Sequence, residues 1–102
     1  MSIVRVALGR FDPGRYDEVR KRLDESRATL IPAIRALRGL VGFWAAIDRE
    51  NSAMSNISIW ETLEDSKQMD TLAPMIAEYQ KFQALGVRFE RPNTNHKTLW
   101  AL

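Results

Sequence analysis

The chain has 102 residues, 45% of them hydrophobic and 27% charged, with a net charge of +2 and no cysteine. That length and balance give one globular domain over 1–102. Disulfides, thiolate metal sites and thiol catalysis are excluded, and the longest uncharged apolar stretch, 39–47, is far too short to span a bilayer.

Residues 3–10, IVRVALGR, have the composition of a short strand. Their lack of a basic segment followed by an apolar core makes a soluble cytoplasmic protein the expectation. FDPG then starts a helix, with Asp12 placed to cap it and Pro13 suited to its first position. Tyr16, Val19, Leu23, Leu30, Ile34 and Leu37 recur at helical spacing, and Pro32 within the run predicts a kink or two abutting helices. Gly39 ends the segment. A pI near 9.3 raises the question of nucleic acid. However, Arg15, Arg20, Lys21, Arg22 and Arg27 are interleaved with Asp17, Glu18, Asp24 and Glu25, the pattern of a solvated helix face with paired charges. A phosphate-tracking surface carries uncompensated positive charge, so no nucleic-acid partner is expected.

Residues 40–48 read as a second strand, apolar on both faces, with Val41, Phe43 and Ile47 on one side and Leu40 and Trp44 on the other. DRENSA is a turn. The third strand, 54–61, puts Met54, Asn56, Ser58 and Trp60 on one face and Ile57 and Ile59 on the other. Thr62 to Asp65 resembles a capping box with Asp in place of Glu. A broken helix follows, from Leu63 to about Thr71 and from Ala73 to Leu85, with Pro74 marking the second start. Its apolar stripe is Leu72, Ile76, Tyr79 and Phe82, Met69 and Met75 are filler, and Gly86 stops it. RFERPNTN is irregular, and HKTLWA at 96–101 is the fourth strand.

The order β-α-β-β-α-β is the split βαβ arrangement of an α+β, ferredoxin-like fold, a four-stranded antiparallel sheet with helices on one face. Both faces of the second and third strands carry apolar residues, and helices can cover only one. A second copy packed sheet to sheet is the expected cover, giving a homodimer.

This order, together with GLVGFWAAIDRENS and a third strand ending in SIWET, resembles the antibiotic biosynthesis monooxygenase-like family of dimeric α/β barrels. The resemblance spans nearly the whole chain. It implies the same fold, dimerisation through sheet faces and a pocket for a small hydrophobic or aromatic molecule. In the family's cofactor-free oxygenases, which convert polycyclic phenols to quinones, an Asn four residues before the strand-three Trp lines the pocket; Asn56 and Trp60 match that pair. A polar group, typically tyrosine, follows the Trp in such enzymes, and here Ser66 lies about there. In the haem-degrading branch the Trp is joined by a strand-one Asn and an iron-ligating His on helix two. This chain has neither, so the resemblance implies cofactor-independent oxidation and no cofactor.

The residue chemistry agrees with that implication. An Asn amide can donate to a developing oxyanion, and an indole N–H can donate while its ring forms an apolar wall. Asn56 and Trp60 are therefore the candidate catalytic pair, with Trp44, Ser58, Tyr79, Phe82 and His96 as candidate substrate-binding residues. Two other readings stand beside this one: a non-enzymatic ligand-binding or stress-associated barrel in which Trp60 is only an anchor, and an isomerase or cyclase using His96 as a base. A single His without paired carboxylates cannot assemble a tetrahedral metal site. No phosphate loop, GxSxG elbow or HExxH appears.

Overall fold

Strands β1 (Ile3–Arg10) and β3 (Ala53–Trp60) are the inner pair of an antiparallel sheet, matched from Ile3 opposite Trp60 to Arg10 opposite Ala53. Strand β2 (Leu40–Asp48) pairs with the other side of β3. Two short strands, β4 (Arg88–Phe89) and β5 (Thr94–Lys97), share the free edge of β1. The helices are α1 (Tyr16–Arg35), α2 (Leu63–Ser66) and α3 (Ala73–Ala84). This computed structural model describes residues 2–102. Its order, β2-β3-β1 and then the divided last strand, is the ferredoxin-like arrangement expected from the sequence.

Several local expectations are revised. Helix α1 runs through Pro32 without a break. The proline removes one donor to the carbonyl of Ala28, and both residues are exposed, so water can satisfy that carbonyl. Asp12 makes no side-chain cap; its backbone carbonyl accepts from the Arg15 N–H at 2.8 Å. On β2 a register shift between Leu40 and Gly42 inserts one residue. This bulge turns Leu40 inward beside Phe43 and Ile47, and leaves Val41 outside with Trp44.

The last strand also lies earlier than its composition indicates. RFERPNTN contains β4 and the start of β5, and residues 98–102 are not a strand. The reason is the length of β1. Lys97 pairs with Ile3, where β1 begins, and the Thr98 N–H donates to the Ser2 carbonyl at 2.9 Å. Leu99, Trp100 and Leu102 are consequently exposed.

Two turns set the strand and helix boundaries. Asp48 accepts from the Asn51 backbone N–H (3.1 Å) and side-chain amide (2.8 Å), closing the β2–β3 turn. The Asn51 side-chain bond is the main reason that its carboxyl is held below the ordinary aspartate value. Gly39 has φ +73°, and a Cβ there would fall 2.1 Å from Asp65 Oδ2. Thr62 Oγ1 accepts from the Asp65 N–H at 3.0 Å, so the expected cap of α2 forms.

All three helices lie on one face of the sheet, and the core beneath them is divided. Phe11, Val19, Met54, Phe82 and Val87 form one cluster, and Leu30, Ile34, Trp60 and Met69 form the other. The space between the two clusters holds the candidate site.

Candidate functional site

The strand register explains why the core parts in the middle. On the helix-facing side, three cross-strand rows succeed one another: Gly9, Met54 and Ile47; then Ala7, Asn56 and Ala45; then Arg5, Ser58 and Phe43. In the middle row two alanines flank Asn56, so the floor has little side-chain volume just where the helices bridge the sheet. A cavity of about 740 Å³ opens above it. Met54 and Phe82 border one end, and Leu30, Ile34 and Met69 border the other. Ile31 of α1 and Ile76 of α3 are exposed residues of the rim, with Arg27 and Arg35 beside Ile31. A space of this size, with a mostly apolar wall, suits a small aromatic ligand.

Asn56 is half-buried at the floor, and among the described residues nothing hydrogen-bonds its carboxamide side chain. Its donors and acceptor are free for a ligand. Ser58, one row along, is buried and lines the same space. Its Oγ accepts from the Trp60 indole N–H at 2.8 Å, leaving its hydroxyl proton available to donate.

The structure divides the residues singled out from sequence. Asn56, Ser58, Tyr79 and Phe82 border the cavity together. Trp60 shares the face of Asn56, but its side chain is 0% exposed, packed among Leu30, Ile34 and Met69, and its only polar atom is engaged by Ser58. It supports the site from behind and does not border the cavity. Trp44 pairs with Ile57 on the opposite face of the sheet, 54% exposed. His96 is also on that face, opposite Val4, with Nε2 2.9 Å from Thr94 Oγ1. The period-two alternation of the strands separates Trp44 and His96 from the cavity.

Sequence reasoning missed a charged corner of the cavity. Arg5 is buried and forms an ion pair with Asp70, and its Nη1 reaches the Ser66 carbonyl at 3.5 Å. With the Asn93 carboxamide oxygen turned toward the guanidiniums, it accepts from Arg5 Nη2 (3.1 Å) and Arg91 Nη1 (3.3 Å). A signal for Arg5 was present. In IVRVALGR the outward positions Val4, Val6 and Leu8 are apolar while Arg5, Ala7 and Gly9 face the helices, the reverse of a simple core strand.

A second buried charge joins the helices. Glu78, 1% exposed, places Oε2 3.2 Å from Arg22 Nε and Oε1 3.4 Å from Lys81 Nζ. Neither Arg22 Nε nor Glu78 Oε2 makes a hydrogen bond of good geometry, so this contact is a charge pair only. Among the described residues, no three His, Asp or Glu side chains gather into a set that could hold a metal ion. Among those residues, too, no helix is long and apolar enough to cross a membrane.

No family model and no curated protein matches the sequence. Solved structures do match in fold. SnoaB, a cofactor-independent oxygenase from Streptomyces nogalater, superimposes with a TM-score of 0.67 at 12% identity, over 99% of this chain and 96% of that one. A candidate antibiotic biosynthesis monooxygenase from Deinococcus radiodurans gives 0.66 at 14% identity, over 100% and 96%. Rv0793 from Mycobacterium tuberculosis gives 0.69 at 14% identity, over 99% and 98%. The chain thus has, from end to end, the fold of structures that include antibiotic biosynthesis monooxygenase-type proteins.

Proposed function

We propose that the protein binds a flat, phenolic aromatic molecule in the cavity over Asn56 and oxidises it to a quinone without a cofactor. The observation that carries this reading is the unengaged Asn56 carboxamide at the floor of a mostly apolar cavity. A deprotonated phenol or anthrone would rest its oxygen against Asn56 and the Ser58 hydroxyl. Those donors would stabilise the anion, and the apolar walls would shelter the oxygen intermediates from water. The stoichiometry closes without an external reductant. An anthrone and O₂ give an anthraquinone and water: the ring methylene loses two hydrogens and gains one oxygen atom, and the other oxygen atom leaves as water. The similarity in fold to a cofactor-independent oxygenase supports this reading.

The active species in this reading is a homodimer. Val41 (61% exposed) and Trp44 sit on the helix-free face of the sheet, with Val4, Val6, Ile57 and Ile59 around them. A contiguous apolar face of this kind is suited to a second copy of the chain.

A ligand-binding barrel without catalysis is the second reading, and one observation favours it. Both carboxylates bordering the cavity, Asp70 and Glu78, are already in ion pairs, which leaves no free base beside Asn56. Oxygen uptake with a panel of metal-free anthrones decides between the two. Uptake with quinone formation that falls in Asn56→Ala supports the oxygenase, whereas tight binding without uptake supports the binding protein.

A further inference from the structure

The cavity ends in a corner whose chemistry differs from the rest of its wall. Two guanidiniums, those of Arg5 and Arg91, converge on the single neutral oxygen of Asn93, at 3.1 and 3.3 Å. Only one carboxylate, Asp70, is paired there, so the three charged groups bordering the cavity at this point sum to +1. Among the described residues Arg91 has no carboxylate partner. Its guanidinium carbon lies 4.6 Å from the Tyr79 ring centroid and 5.9 Å from that of Phe89, and these two rings pack at 4.6 Å. The aromatic platform aims the arginine fork while leaving most of its N–H donors unused.

From this convergence we infer that the Arg5–Asn93–Arg91 corner is a carboxylate subsite and that the ligand is a flat aromatic acid. The inference deepens the proposed function and rests on it, since it assumes that an aromatic body fills the cavity over Asn56. Guanidinium forks bind planar carboxylates in two-point fashion, and a site with one net positive charge matches a monoanion. Register sets the spacing. Arg5 pairs with Ser58 and Ala7 pairs with Asn56, so the corner begins two residues along the strand from the Asn56 row, about 7 Å. A substrate with a phenolic or carbonyl oxygen and its carboxylate on opposite edges of one ring of a fused system has this separation.

The test compares two ligands differing only at that group: 1,8-dihydroxyanthraquinone-3-carboxylate and its neutral 3-hydroxymethyl analogue. Binding is read by calorimetry or quenching of tryptophan fluorescence, in wild type and in Arg91→Gln, Asn93→Ala and Arg20→Gln. Arg91 is exposed and Asn93 half-buried, so neither replacement disturbs the core; Arg20, exposed on α1 and outside the cavity, controls for net charge. The expected result is that wild type and Arg20→Gln bind the acid about tenfold more tightly than the alcohol. In Arg91→Gln the acid should fall to the affinity of the alcohol, which itself stays unchanged, whereas Asn93→Ala removes only a competing acceptor and should keep the preference for the acid. Equal affinities in wild type, or a preference that survives in Arg91→Gln, would overturn the subsite and leave the aromatic cavity standing. Failure of both ligands to bind would overturn the cavity reading as well.

Discussion

The indole N–H of Trp60 donates to Ser58 Oγ at 2.8 Å, between two buried side chains on one face of β3. The tryptophan therefore orients a cavity-lining hydroxyl and does not itself meet a ligand. Ser58→Ala would leave a buried donor unpaired and should lower stability by about 1–3 kcal/mol. Trp60→Phe should cost a similar amount through lost packing and the lost bond. Urea denaturation measures both. A Trp60→Phe protein of unchanged stability that no longer binds ligand would instead place the indole in the site.

Asn56 should behave in the opposite way. Among the described residues its amide has no partner to lose, so Asn56→Ala should alter stability by no more than about 0.5 kcal/mol. Removal of one oxyanion donor should slow quinone formation by about 10²-fold. Paired denaturation and oxygen-uptake measurements separate this pattern from that of a structural residue.

Ala45 is required for space. It flanks Asn56 in the middle row and is open to the cavity. Ala45→Leu should fill the floor, weaken aromatic ligands by about tenfold or more, and leave the melting temperature equal or higher, since added methylenes enter empty volume. Unchanged binding would show that ligands sit elsewhere.

Trp44 serves a different surface. Trp44→Lys places a charge on the open sheet face and should convert a dimer to monomer at micromolar concentration, as read by light scattering. A wild-type protein that is already monomeric would sink the sheet-to-sheet assembly.

The Arg22–Glu78 pair ties α1 to α3 across the cavity wall. Arg22→Met leaves a carboxylate that is 1% exposed with only Lys81 nearby, and should destabilise by about 2–4 kcal/mol. Adding Glu78→Gln should restore much of that loss, because the uncompensated charge is gone. A double-mutant cycle by thermal or chemical denaturation reports the coupling.

Much of the architecture was legible from local chemistry. The period-two face Met54, Asn56, Ser58 and Trp60, the Thr62 cap, the break before Pro74 and the glycine stop at Gly86 each rest on neighbours within a few residues, and all are present; Gly39 is not the cap of α1, which ends at Arg35 with Ala36 as its C-cap. The shared face of Asn56 and Ser58, and the stripe that brings Tyr79 and Phe82 to the cavity, follow from the same periodicities.

What sequence could not supply depends on pairing between distant segments. A one-residue bulge exchanged the faces of Leu40 and Val41, and the pairing of His96 with Val4 turned the histidine away from the cavity. Whether Trp60 meets a ligand or the core depended on Leu30, Ile34 and Met69 closing over it. The charged corner joins Arg5, Asp70, Arg91 and Asn93, residues from opposite ends of the chain. By itself the sequence determined strands, helices, caps and faces, because these arise from spacing along the backbone. Only the tertiary structure decided which faces enclose a cavity and which charges meet inside it, because packing and Coulomb interactions act through space.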